Sequence, residues 1–465
     1  MKFRKFGKAL LMSALSVGAV LSVTSCVQSY TVGFLYVTGT NTAKAGAGTI
    51  SGFKIDHNTG ELRPINGLPV SSGGSNPGRA VLLEGSRFFY VLNRGTDGSG
   101  GDNCTSNAAP CKGSNITLFS VGGNGSLSPQ PQQFSTQGNN PFRIIADASG
   151  KFILVLDHDA PDSGNGAASN SCSLALGSGV TTCGDITIFQ VDSTTGRLSL
   201  ILNSQVSSAA GQPLPYFPVP ADPIDFLLNG SYLLTLSGTP ATGDEVFPYA
   251  YSSSSGQLSI SQNSVQPLNI RGATALQAGN SSIYVLDNES VTIGACPSGQ
   301  QCFFTPGTYP GYLLPFTVGT GGSLQAQGGG PVPIDPSQTN PQFLLFEASS
   351  KNKWVYVANA GNNQSQDNPQ SGLTGFVINT AANNQLTPLS GSPFGAAVGI
   401  GAGPQCLVED PSNQFIYTAN FNDSTVTGVS VDVRSGLLRQ LPGKAAKAFG
   451  LPGPAAYCLV NGRTS

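Results

Sequence analysis

Charge is scarce in this chain. Only 10% of its 465 residues are Asp, Glu, Lys or Arg, and it has two histidines, two methionines and one tryptophan. No run of Lys or Arg follows the first eight residues, so the electrostatic footprint that nucleic acid requires is missing, and no nucleic-acid partner is expected. His57 and His158 are far apart and no cysteine pair has CxxC spacing, which argues against structural zinc. With one tryptophan (Trp354) and no repeated ligand cluster, there is little to hold a quinone, haem or copper. The segment 158–165, HDAPDSGN, carries enough oxygens for calcium but not EF-hand spacing. No metal and no cofactor are expected. Helical periodicity is absent outside the first residues, and no apolar run is long enough to span a bilayer comfortably.

What is abundant is turn chemistry. The 60 glycines and 32 prolines punctuate a chain that is 39% hydrophobic, too apolar for disorder. One pattern returns throughout: FKIDHNTGELRPI (53–65), FQVDSTTGRLSL (189–200), VSVDVRSGLLRQL (429–441). Its turns are Thr59-Gly60, Asn124-Gly125, Thr195-Gly196, Ser255-Gly256, Gly321-Gly322, Asn383-Asn384 and Ser435-Gly436, with successive spacings of 65, 71, 60, 66, 62 and 52. Before each lies a period-two strand and after it a shorter one, the mark of a tight hairpin. Upstream come strand, polar turn and strand again, as in NPFRIIADASGKFILVLD (140–157) and NPQFLLFEASSKNKWVYVAN (340–359). Seven units of four antiparallel strands, here lettered A to D, predict an all-β, seven-bladed propeller, which solves the edge-strand problem radially. Phe34 to Val37 matches strand B with no strand A before it. Ala455 to Val460 matches strand A with nothing after it. The last strand is therefore expected to complete the first blade.

Eight cysteines remain once Cys26 is set aside. Cys104 and Cys111, Cys172 and Cys183, and Cys296 and Cys302 are close pairs in Gly/Ser/Asn-rich segments, and read as disulfides. Cys406 and Cys458 occupy nearly equivalent strand A positions across the closing seam; they form either a staple or two buried thiols.

The start is read separately. Lys2, Arg4, Lys5 and Lys8 precede the apolar run Ala9 to Val23, which ends in Val23-Thr24-Ser25-Cys26 and resembles a bacterial lipobox. The resemblance implies cleavage before Cys26, lipidation of its thiol and a membrane-anchored, exported protein of the cell envelope. Residues 1–26 are then a leader and 27–465 a single propeller domain, expected to be monomeric. Loss of the leader removes four basic residues and leaves 18 basic against 24 acidic side chains, a net of −6.

Over nearly the whole mature chain the repeat resembles the seven-bladed propeller lactonase family, the propeller-type 6-phosphogluconolactonases and their relatives. The carriers are the strand B endings Tyr90-Val91-Leu92-Asn93, Tyr356-Val357-Ala358-Asn359 and Tyr417-Thr418-Ala419-Asn420, the F-x-[IV]-D-x-x-[TS]-G-x-L turn, and Leu389-Ser390-Gly391-Ser392-Pro393. The resemblance implies metal-independent lactone hydrolysis. The chain departs from the family where Asn140-Pro141-Phe142-Arg143 stands in place of a Pro-His-type opening. It departs again where His158-Asp159 replaces the usual Leu-Gly after Asp157.

In such a fold the glycine turns lie on the bottom face, so Asp192 in the repeat is expected to cap its turn and do no chemistry. The long B–C segments 94–114, 158–184 and 288–310 lie on top, which makes that face the expected binding face. Arg79 and Arg143 at the start of strand A, with Asp225, Gln342 and Gln405 from other blades, are expected to line its funnel. So are Asn93, Arg94, Asp287, Asn359 and Asn420 at the end of strand B. A lactonase must activate water and stabilise an oxyanion, for which Asp157 with His158, and Arg143 or Arg79, is the best constellation available. Two functions follow. The first is capture of a small molecule, glycan or protein without turnover; the alternative is lactone hydrolysis.

Overall fold

The computed structural model describes residues 30–462 except 45, 84, 86, 97–112, 166–169, 240–242, 261–264, 269, 280–281, 289–310, 328–329, 348–352, 362–369 and 383. Residues 1–26 with Cys26, and the pairs Cys104–Cys111 and Cys296–Cys302, lie outside the described residues.

Seven antiparallel sheets surround one axis. Blade 1 joins strand A, Ala455–Gly462, to strands B and C, Thr31–Thr40 and Ala47–Asp56. The ring thus closes as the ends of the sequence imply, with Val37 opposite Cys458. Strand A of blades 2 to 7 is Pro77–Leu82, Asn139–Ala146, Pro223–Asn229, Ala273–Gly279, Pro341–Phe346 and Pro404–Glu409. Each strand A touches the next around the whole circle, so these seven line the axis. In five blades a further short segment pairs with strand C beside strand D.

Between the blades lie seven apolar clusters, filled by alternate residues of strands B and C. The recurring turn belongs to these seams. In blade 3, Asp192 Oδ1 accepts the backbone N–H groups of Thr194 and Thr195 at 2.9 and 2.7 Å, which fixes a turn whose Gly196 has φ +71°. Gly196 lies against the Phe88 ring of blade 2, and its carbonyl accepts the Tyr90 hydroxyl at 2.5 Å. The same latch joins Tyr36 to Gly125, Tyr356 to Gly436 and, across the closing seam, Tyr417 to Gly60. A buried hydroxyl needs such a partner, and the turn carbonyl of the neighbouring blade supplies it. The repeat therefore sews blades together.

Two disulfides stand among the described residues. Cys406 bonds Cys458, tying strand A of blade 7 to that of blade 1. Cys172 bonds Cys183 within the top loop of blade 3, where the short helix Ser171–Leu176 is capped by Asn170. Asp162 of that loop accepts the Ser171 backbone N–H at 2.7 Å, which commits its carboxylate to holding the helix.

Candidate functional site

Every strand A carries the same irregularity at its top end. The ladder slips near the start of the strand: Pro141 pairs with Asp157 but Arg143 with Leu156, Pro223 with Ser237 but Asp225 with Leu236, and Pro341 with Asn359 but Phe343 with Ala358. Such a bulge re-aims side chains and recurs near functional sites. It places Arg79, Arg143, Asp225, Phe343 and Tyr457 in one equivalent position of five blades. Together they form a constriction on the axis.

Asp225 is its hub. Its carboxylate has no exposed surface and receives Arg79 Nη2 at 2.8 Å and Arg143 Nε at 3.3 Å. It also accepts the backbone N–H of Leu276 at 3.1 Å and that of Phe226 at 2.9 Å. Burial lowers the Arg143 pKa to about 10, helped by the neighbouring charge of Arg79 and opposed by Asp225. At neutral pH both guanidinium groups are charged against one carboxylate. Burial raises the Tyr457 hydroxyl above its usual range, so it stays a neutral donor.

Above the constriction is a cavity of about 230 Å³, lined among others by Arg79, Arg94, Arg143, Gln342, Gln405 and Tyr457. Below it, on the bottom side, is one of about 690 Å³ that shares Arg79, Phe343 and Tyr457. The upper cavity is lined by three guanidinium groups, of which Arg79 and Arg143 share the Asp225 carboxylate.

His158 is not among the residues that line it, but it packs near Phe142, which is. Its ring is 6.4 Å from that of Phe142, and Arg143 lies over the same Phe142 ring at 5.2 Å. Its Nδ1 is 3.1 Å from Asp159 Oδ1 and its Nε2 is 3.9 Å from Asp222 Oδ1. The Asp159 carboxylate in contact with Nδ1 raises the imidazole pKa, opposed by partial burial. With Nδ1 facing Asp159, Nε2 is the nitrogen left for proton transfer.

The remaining candidates from the sequence fall elsewhere. Asn93, Asn359 and Asn420 are fully buried and donate to Thr117 at 3.1 Å, Thr374 at 2.9 Å and Thr427 at 3.2 Å of the adjacent strand C. Asp287 accepts the Gly272 backbone N–H at 3.1 Å. These four tie strand B to its surroundings within the blade and do not line the upper cavity. Asp157 is also turned away from it: the slip that aims Arg143 at the axis leaves Asp157 against Asp185 and Thr187 of strand C. The structure thus joins Arg79, Arg94, Arg143, Asp225, Gln342 and Gln405, with His158 nearby, and separates Asp157 from them. Tyr457 and Phe343 escaped the sequence reading. Both stand two residues beyond the first residue of strand A, in the column of Arg79, Arg143 and Asp225, and reading that column through all seven blades finds them.

The class of fold is matched by known structures. A candidate 6-phosphogluconolactonase from Bacteroides uniformis superposes with a TM-score of 0.61 at 14% identity, over 93% of this chain and 100% of that one. One from Bacteroides fragilis gives 0.59 at 14% identity over 92% and 98%. The periplasmic gluconolactonase PpgL of Pseudomonas aeruginosa gives 0.58 at 15% identity over 92% and 99%. No protein-family model matches the sequence, and no curated protein does. At these identities the likeness establishes the fold alone, a seven-bladed propeller.

Proposed function

We propose that this chain is a metal-independent hydrolase of sugar lactones that works in the upper cavity. The observation that carries this is the pair of guanidinium groups, Arg79 and Arg143, fixed on buried Asp225. Groups held in this way are ready to stabilise an oxyanion without rearranging. In the proposed step, water attacks the lactone carbonyl carbon and gives its proton to His158 Nε2. The carbonyl oxygen becomes an alkoxide beside Arg143 and Arg79. Collapse of that intermediate breaks the ring C–O bond, and the leaving oxygen takes the proton back from His158. The product is a hydroxy acid, which releases one proton to solvent at neutral pH. Gln342 and Gln405 supply donors and acceptors for sugar hydroxyls. The gluconolactonase name of one structural neighbour supports the substrate class.

The second function is capture of a small sugar acid without turnover. What favours it is the burial of Asp157, which leaves His158 as the base for the cavity. In both cases we place the protein in the envelope, exported by residues 1–26 and anchored through lipid on Cys26; the disulfides agree with export.

The test is acid release in weak buffer from aldonolactones, with and without a phosphate group, using a soluble form lacking residues 1–26. Hydrolysis predicts turnover that falls at least about 100-fold in Arg143→Ala and is lost in His158→Ala. No turnover above the spontaneous rate, with gluconate binding by calorimetry lost in Arg143→Ala, selects capture. Neither turnover nor binding rejects both.

A further inference from the structure

Inside blade 3 two carboxyl groups meet with no cation paired to either among the described residues. Asp157 of strand B and Asp185 of strand C are direct cross-strand partners, and neither exposes any surface. Two carboxylates opposed in this way repel. Between them stands the Thr187 hydroxyl, 3.2 Å from Asp157 Oδ2 and 3.4 Å from Asp185 Oδ2. That oxygen also accepts the Gln137 backbone N–H at 2.9 Å.

The protons can be counted. A hydroxyl has one hydrogen and two lone pairs. Gln137 takes one lone pair, and the hydrogen goes to one carboxylate. The second carboxyl can face the remaining lone pair favourably only by donating an O–H of its own. Asp185 Oδ1 is buried with no hydrogen-bond partner among the described residues, as expected if the pair is not fully ionised. No cluster of three or more metal-ligating side chains occurs here among the described residues. A Cβ on Gly138 would lie 1.8 Å from Asp185 Oδ1 and 2.6 Å from the Asp157 Cβ, so the connector's backbone is pressed onto the pair. The other titratable groups acting on it are Asp159 and Asp162 of the following loop, both acidic, and Tyr216, which feels the charge of Asp185. His158 is turned towards Phe142, Asp159 and Asp222.

We propose that Asp157 and Asp185 hold one proton between them across Thr187, and that this proton keeps the connector at Gln137 and Gly138 in place. The connector leads directly into the strand Asn139–Ala146 that carries Arg143, so release of the proton shifts the upper cavity. Burial raises both acids above the ordinary carboxylate range, which agrees with the proton count. The pair thus reports alkaline pH to the cavity.

Three measurements test this, and only the last rests on the proposed site above. Infrared difference spectra of the wild-type protein should show the carbonyl stretch of a protonated, buried carboxyl group at pH 7, fading as the pH is raised. Asp185→Asn and Asp157→Asn should each abolish it. Absence of that band in the wild type, or its survival in both variants, overturns the proposal without reference to any activity. Calcium titration followed by thermal unfolding is the second arm. A midpoint raised by calcium in the wild type but not in Asp185→Asn would mean that the pair holds a cation, which also overturns it. Last, gluconate affinity should weaken at least about threefold over the pH range in which the band fades, and stay level in Asp185→Asn. A proton pair whose loss leaves affinity unchanged refutes its link to Arg143, while gluconate that fails to bind at any pH counts against the site and leaves the infrared result standing.

Discussion

Replacing Asp225 by Asn should destabilise the fold and tighten anion binding together. The substitution keeps the shape and one acceptor oxygen for the Leu276 or Phe226 N–H, but removes the one carboxylate paired with Arg79 and Arg143 among the described residues. Breaking a buried ion pair from one side costs about 3–5 kcal/mol, because the remaining charge stays buried without compensation. Here two guanidinium groups are left, and the Arg143 pKa is already lowered to about 10 by burial and by the charge of Arg79. The upper end of that range is expected. Against a total stability of about 5–15 kcal/mol, the loss is easily read as a fall in the urea midpoint.

The sign of the ligand effect separates this from ordinary core damage. An anion that binds only the folded state stabilises it by RT ln(1 + [L]/Kd), about 2.7 kcal/mol at 100 times Kd. With Asp225 neutralised, phosphate or gluconate takes its place opposite the guanidinium groups. Urea titrations of wild type and Asp225→Asn, with and without 50 Kd of gluconate, should therefore show the variant rescued more than the wild type. The double variant Asp225→Asn/Arg143→Gln should regain part of the loss and forfeit the rescue. A cost below about 1 kcal/mol, or a variant that responds to gluconate less than the wild type, would refute the view of Asp225 as counter-ion to an anion receptor.

Further outcomes follow from the same geometry. Gly196→Ala places a Cβ 2.6 Å from a Phe88 ring carbon at φ +71°, so it should cost more than about 2 kcal/mol, whereas Gly230→Ala, at φ +60° with open space around it, should cost only the 1–2 kcal/mol of backbone strain; equal urea midpoints would deny the latch. Tyr90→Phe leaves the Gly196 carbonyl without its donor and should cost about 1 kcal/mol by the same assay. Opening Cys406–Cys458 in the double Ser variant removes a cross-link over 52 residues and should cost about 4 kcal/mol on the chain-entropy account, measured against wild type without reductant. For hydrolysis, the raised His158 pKa means that the neutral base forms only above the usual histidine range, so kcat/KM should climb with pH through a midpoint above 6.5. Asp159→Asn removes the leading cause of that rise and should move the midpoint down; an unmoved profile would exclude His158 as the base.

The architecture was legible because it is written in repetition. Seven turns at 52 to 71 residues, each preceded by a two-period strand, leave few alternatives, and the unpaired strands at the two ends announce their own pairing. The candidate site was legible only in part. Arg79, Arg143 and Asp225 stood out because a charge two residues after a strand-opening proline is unusual in a chain with so little charge. Asn93, Asn359 and Asn420 drew attention for the opposite reason, since they recur, and recurrence proved to mean scaffold: each buries its amide against strand C. Asp157 shares their position and differs in chemistry. The bulge that separates it from Arg143 is a matter of hydrogen-bond register, which residue types do not reveal.

That distinction suggests how the fold divides its labour. Positions that must repeat for the ring to stand, such as the glycine turns, the strand B tyrosines and the asparagines behind them, cannot vary freely from blade to blade. The residue after the strand A bulge is freer, because its backbone lies at an irregularity and in five of the seven blades its side chain joins the axial constriction, while Ala275 and Cys406 pack between blades. Around the ring it is Tyr457, Arg79, Arg143, Asp225, Ala275, Phe343 and Cys406: two cations, one anion, two aromatics, a small residue and half of the closing disulfide. A symmetric scaffold gains an asymmetric site at the one column where symmetry is not required for stability. Exchanging residues within that column, Phe343→Arg for instance, should therefore alter what the cavity binds while leaving the urea midpoint closer to wild type than any change at a latch glycine. A Phe343→Arg protein that unfolds as readily as Gly196→Ala would show that the column, too, is scaffold.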